Sequence, residues 1–569
     1  MECLPLELKH SIAGIVRDVS WETLRALSQV NRQWNQITAP SLYKDLTLRL
    51  KSDEPPHRVL QLLDATLVLP HIRYLTLVDP TSSNLGKTDV GKYLNETRPE
   101  NIDVPPILRG YKGDWGPVIS LLQRLVYTLA ETHPDCHVSV FSASPDTYRA
   151  GITQKKWIHS TVVKAAWIVY YEHSRGQFSA EHPDRLLRNI LRQAPGIKRL
   201  TLQISATPGP SSCQRNTKWL QAQPSEDEVN IHPRAQLEML SFPLISKMTA
   251  QNLQAWSRVT DLRYLAAWTA GAIEDITLLT TIAQLQPFRA LKRLSLALNP
   301  PETSPTWLST VKAMFNALPP LTYLCLLGSY HPEWLPTAIL DRHGLTLNEL
   351  QLHRPRPRFQ NYEPYRLVRR GQIAPIFPAD VIANMAAHCP VLQTLRITVQ
   401  RYRGHPTETA AYDALGRFPA LHTLDLHLNC LPVMISGYET PFPPRELTAA
   451  FDEALATAIF MRIRGQKTRR SLRVLRLHPL SGEIGQYQRT PGITGHVLLG
   501  GGDYHREMGG AWQVEWDGAN KMRAENRFKP KRKRGETMRS MDLEIFESIW
   551  PSDREEKTWP IKWRSWPLQ

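Results

Sequence analysis

A leucine pattern, Leu-x-x-Leu-x-Leu, recurs along this chain and constrains its fold more than any other feature. Copies stand at Ile72-Leu75-Leu77, Ile197-Leu200-Leu202, Leu237-Leu240-Phe242, Leu291-Leu294-Leu296 and Leu321-Leu324-Leu326. The series continues at Leu347-Leu350-Leu352, Leu392-Leu395-Ile397, Leu421-Leu424-Leu426 and Leu472-Leu475-Leu477. A damaged copy reads at Leu262-Leu265, with Ala267 in place of the last large residue. Alternation within a copy is the signature of a short strand, whose successive side chains point to opposite faces. One such unit cannot bury its own apolar face, so repetition implies stacking. In six copies a proline (Pro70, Pro195, Pro287, Pro319, Pro390, Pro419) precedes the first position by two to four residues. There it ends a helix and feeds the chain into an extended segment.

Spacing supports the same reading. Steps from 237 to 262, 291, 321 and 347 are 25, 29, 30 and 26 residues, and 392 to 421 is 29. The steps from 347 to 392 and from 421 to 472 are 45 and 51, which leaves room for insertions. Helical patterns such as Asp380–Ala386 and Phe451–Ile459 fill the intervals. The expectation is an α/β chain of parallel strands and helices, and an ordinary α/β domain with leucine-rich strands is the competing reading.

The first 48 residues follow a different rule. Leu8, Ile12, Ile15 and Val16 fall on one apolar face of a helix, with Pro5 suited to its first turn. Ser20 is placed to cap a second helix. Leu24, Leu27, Val30, Trp34 and Ile37 continue at helical spacing until Pro40 stops the run.

In order and identity, Leu4, Pro5, Glu7, Leu8, Ile12, Val16, Leu24, Leu27, Val30 and Trp34 resemble the F-box family, whose pattern opens on Leu-Pro-x-Glu and closes on Val-x-x-x-Trp. Lys9, at a position often apolar in the family, and Gly14 depart from it. Strand plus helix at the period above resembles the leucine-rich-repeat horseshoe of F-box proteins, particularly the divergent fungal type. The implied organisation is a three-helix F-box at 1–48, degenerate early repeats with a loop insertion at 49–195, a leucine-rich-repeat solenoid at 196–480, and a C-terminal capping and basic segment at 481–569. A separate small domain within 80–195 is the alternative for that region. His137–Phe141 reads as a strand, Thr161–Tyr170 as a strand or buried helix, and Asp184–Leu191 as a helix.

Composition narrows the function classes. Six scattered cysteines with no CxxC pair fit free buried thiols in a reducing compartment, with neither a disulfide framework nor a zinc site. No apolar run of about 18 residues and no signal-like start is present, so no membrane span is expected. Formal charge is +16, and 518–540 alone carries nine Lys or Arg against two Glu. Lys529, Lys531, Arg532, Lys533 and Arg534 form a nuclear-localisation-like cluster, with a nucleic-acid patch and a solvated linker as competing readings. No base-reading fold accompanies it, so nucleic-acid specificity is unsupported. Met541–Trp550 reads as an amphipathic helix, and Trp559, Trp563 and Trp566 as either an end cap or partner anchors.

Catalytic patterns are missing. Gly500-Gly501-Gly502 lacks the Lys-Ser/Thr of a phosphate loop and reads as a turn before the strand Ala511–Trp516. His133-Pro134-Asp135-Cys136-His137 reads as a turn, and the dispersed histidines as surface and turn residues. The expectation is no catalytic residue, no metal site and no cofactor.

The resemblance implies a substrate receptor of an SCF-type cullin–RING ubiquitin ligase. Leu4, Pro5, Leu8, Ile12, Val16, Leu24, Leu27, Val30 and Trp34 would make the docking module for a Skp-type adaptor, and through it for cullin and RING subunits. Pro5, Leu8 and Val30 are expected to contribute most. The repeats would hold an unidentified target protein, in the nucleus and/or cytoplasm. A leucine-rich scaffold acting outside a ligase is the alternative.

Overall fold

The computed structural model describes residues 4–42, 45–49, 74–78, 137–142, 163–172, 191, 196–206, 234–242, 247–299, 306–352 except 329, 375–429 except 403, 453–465, 472–480, 512–516, 522–526 and 568. They form a mixed α/β protein whose strand pairing is mostly parallel, divided into two compact units.

The first unit begins with three helices, α1 (Leu6–Val19), α2 (Trp21–Ser28) and α3 (Arg32–Leu42). Strands β1 (Asp45–Arg49), β2 (Tyr74–Val78), β3 (His137–Ser142), β4 (Val163–Glu172), β5 (Arg199–Ala206) and β6 (Met239–Ser241) follow, each parallel to the next. After β7 (Lys247–Met248) and α4 (Ala250–Ser257) comes β8 (Ala267–Ile273), whose first three residues pair with β6 in this unit. Trp256 of α4 stacks on Phe242, ring centroids 4.3 Å apart.

In the second unit, the end of β8 pairs with β7. Strands β9 (Arg293–Leu298), β10 (Tyr323–Gly328), β11 (Glu349–Gln351), β12 (Thr394–Gln400), β13 (Thr423–Asn429) and β14 (Val474–Leu480) run parallel. The last two, β15 (Trp512–Trp516) and β16 (Met522–Asn526), turn antiparallel along the β14 edge. Helices α5 (Ile276–Leu285), α6 (Trp307–Ala317), α7 (Ala379–His388), α8 (Pro406–Leu415) and α9 (Glu453–Gly465) lie between strands in sequence. Helix α5 packs on α6, α7 on α8, and α8 on α9.

The leucine pattern sets the register. Leu294, Leu324, Leu350, Leu395, Leu424 and Leu475 are successive Cα partners across β9–β14, and all are fully buried. Burying each such side chain contributes about 1.5–3 kcal/mol. A slip of one residue would turn the whole row to the other face, so the pairing is strongly specified. Pro287, Pro319, Pro390 and Pro419 each follow a helix that ends two to four residues earlier; Pro70 and Pro195 lie outside the described residues.

Three expectations change. The copy read at Leu262-Leu265 is out of frame by three residues, because Leu240 pairs with Trp268. Leu265, Trp268 and Ala270, all buried, occupy the three positions of the pattern, while Leu262–Tyr264 is a single helical turn capped by Asp261. A tryptophan in a leucine slot hides the copy. An earlier strand, β1, pairs Leu46 with Leu75 and Leu48 with Leu77 inside the segment read as helical module alone. Pro40 does not end α3, which runs on to Leu42. The missing amide loses only one bond in the last turn, and buried Leu42 anchors that turn in the core of the three helices.

Candidate functional site: the N-terminal helical module

Capping fixes the path of α1–α3. Pro5 stands at the N-cap position of α1. Extended Ser20 separates α1 from α2, and its hydroxyl accepts from the Thr23 amide at 3.2 Å. The apolar spacing that looks continuous from Leu24 to Ile37 breaks at Gln29–Asn31, where the Asn31 side chain accepts from the Trp34 amide at 2.9 Å and opens α3.

The module sorts the expected docking residues into two sets. Leu24 and Trp34 are interior, in a core with Ala13, Ile37 and Leu42, and half-buried Ile12, Val16 and Leu27 pack against it. Leu4 is half-buried. Pro5 is exposed, and Leu8 and Val30 keep 51% and 58% of their surface. Ile15, which lies seven residues from Leu8 and so on the same helix stripe, is 66% exposed.

The inward stripe of α1 is therefore Lys9, Ile12, Ala13 and Val16, rotated from the apolar face that hydrophobicity alone selects. Lys9 is 1% exposed, and its ammonium donates to Gln33 Oε1 at 2.7 Å. A polar residue faces in while Leu8 and Ile15 face out. Leu6 and Ile15 belong to the exposed apolar surface although the family-like pattern did not include them; the seven-residue spacing from Leu8 was the available signal for Ile15.

A second surface lies on the sheet of the second unit, opposite the leucine row. Gln351, Arg396, Asp425, Arg476 and Gln513 are register neighbours on β11–β15. Arg396 donates to Asp425 Oδ2 (2.7 Å) and Gln351 Oε1 (3.0 Å), and Arg476 donates to Asp425 Oδ1 (3.2 Å) and Gln513 Oε1 (3.3 Å). Gln513 in turn donates to Glu515, and Gln351 to Glu349. The charges alternate and satisfy one another. Further along the same face, His427 and His478 stack with centroids 4.8 Å apart.

Buried polar groups here serve packing. Cys325 and Cys389 are free thiols, pushed up by burial to about 11 and about 12, well away from nucleophilic thiolate. The histidines are not all surface residues: His343 and His427 are buried. His343 Nδ1 accepts from the Leu321 amide (3.3 Å), so Nε2 carries the proton and donates to the Phe315 carbonyl (3.1 Å). Two backbone groups near a helix end and a strand start are thereby satisfied, a role no sequence motif announces.

Burial holds the His343 imidazole down at about 4, against an ordinary 6.5. Both folded and unfolded forms are neutral above pH 6.5; below it the unfolded chain binds a proton first. Stability is thus expected to fall between pH 6.5 and 4, by up to about 3 kcal/mol. Urea midpoints for the second unit should drop over that window in the wild type, and the His343→Gln protein should lack this component of the slope. Parallel pH profiles for the two proteins would refute the assignment.

Among the described residues no group of three or more His, Cys, Asp or Glu is arranged to hold a metal ion, and no helix is long and apolar enough to cross a membrane. Lys529, Lys531, Arg532, Lys533 and Arg534 lie outside the described residues, as do the Gly500–Gly502 turn, Met541–Trp550 and the terminal tryptophans. No protein-family model matches the chain, and no curated protein matches it significantly.

Proposed function

We propose that this chain is the substrate-recognition subunit of an SCF-type cullin–RING ubiquitin ligase: the N-terminal helices dock on a Skp-type adaptor and the leucine-patterned strands and helices hold a target protein. The observation that carries the reading is the inversion in α1, where a lysine is interior and Leu8 and Ile15 are exposed, as Pro5 and Val30 are. Nothing in the packing of the module's described residues needs those apolar side chains outside; a partner would. Catalysis by proximity then follows, since a protein with two binding faces turns an encounter between enzyme and target into a tethered one. The basic cluster at Lys529–Arg534 fits import, which supports a place in the nucleus and/or cytoplasm.

The test is co-purification. Full-length protein is expected to retain a Skp-type adaptor and cullin, and Pro5→Ala with Leu8→Ala to lose at least about ten-fold of both, as truncation of central apolar anchors does. Undiminished capture by the double variant would sink the reading. Adaptor without cullin would favour the leucine-rich scaffold instead.

A further inference from the structure

We infer that Lys9 and Gln33 are a positioning pair, which ties α1 to the first turn of α3 so that Leu8 and Val30 meet one partner face together. The inference rests on the docking reading above. Lys9 directly follows Leu8 on α1, and Gln33 lies three residues after Val30, on the far side of the Asn31 cap. One hydrogen bond of 2.7 Å therefore links the residue after Leu8 to the residue three positions after Val30.

The chemistry makes an accidental lysine a poor explanation. Methionine would fill the same space without desolvating an ammonium, which apolar packing does not repay. Apolar packing tolerates sliding, because it has little directional preference, whereas an ammonium must reach its acceptor. The best-attested use of such an interior polar group is to fix one arrangement among several apolar ones at the expense of stability. A partner contacting α1 and the α2–α3 link at once gains when both are already aligned, because less ordering remains to be done on binding.

The measurement is the dissociation rate of purified Skp-type adaptor from the full-length chain, paired with thermal unfolding and proteolysis of the module. Lys9→Met and Gln33→Leu are expected to keep or raise the melting temperature while the adaptor leaves about ten-fold faster. Gln33→Glu, which supplies a charged acceptor, should keep the wild-type rate. A purely structural role would move stability and not split it from binding. Wild-type dissociation from Lys9→Met and Gln33→Leu, with Leu8→Ala weakened, would overturn the positioning role and leave the docking reading standing. Unfolding of the module in Lys9→Met would also overturn it. Unchanged binding by Leu8→Ala would remove the docking reading itself, and the pair's role with it.

Discussion

Glu408→Ala should destabilise the second unit by about 3–5 kcal/mol, the usual cost of removing one partner of a buried ion pair. Glu408 and Arg401 both have 0% side-chain exposure and meet at 2.6 Å. The same carboxylate accepts from the Tyr412 hydroxyl (2.6 Å) and from the Tyr402 and Gly404 amides (2.6 and 2.8 Å). Gly404 has φ 77°, a left-handed conformation that glycine adopts without strain and that belongs to the turn aiming its amide at the carboxylate. The network thus ties the end of β12 to the first turn of α8. Its loss removes the carboxylate that meets the buried Arg401 guanidinium. Urea unfolding followed by a probe in that unit should show the shift, and Arg401→Met with Glu408→Met should recover most of it, since an apolar pair carries no stranded charge. A shift under about 1 kcal/mol for Glu408→Ala would show that the pair is solvated.

On the docking reading proposed above, Trp34→Ala and Leu8→Asp should separate folding from docking. Trp34 is the largest side chain among the described residues of the three-helix core, and deleting a buried tryptophan costs about 3–5 kcal/mol. A small core, with five buried apolar residues clustered among the described ones, has little in reserve. The Trp34 variant is therefore expected to become protease-sensitive within 4–42 and to lose its adaptor for that reason. Leu8→Asp, on an exposed site, should remain protease-resistant and lose the adaptor through a desolvated charge at the contact. Equal protease sensitivity in the two variants would show that Leu8 has a structural role, against its exposure.

The leucine frame was legible because its signal is local: two alternating positions and a lead residue recur whatever lies between. Where one slot changes chemistry the frame is lost, as at Leu265-Trp268-Ala270. The antiparallel pair β15–β16 was half visible: Trp512–Trp516 alternates with large apolar residues, whereas Met522–Asn526 has only Met522 and Ala524 between charges, inside a basic stretch. Within the N-terminal module the sequence gives helices and caps, Ser20 among them, while misjudging the phase of α1. Hydrophobicity assumes that apolar means inside, and Lys9 breaks that assumption because its partner is 24 positions away. His343 and the Arg401–Glu408 network were invisible for a related reason. Their meaning depends on which distant backbone groups they meet.

The register of the leucine row has a consequence for how such a chain can change. Leu350 pairs with Leu395 although 45 residues separate them, and Leu424 with Leu475 although 51 do, yet the row continues as evenly as across the 26-residue interval from Leu324 to Leu350. Loop-closure entropy rises only about 0.6 kcal/mol for each doubling of length. Intervals between strands are therefore open to insertion without disturbing the strands, and the chain can acquire new segments there while its framework stays the same.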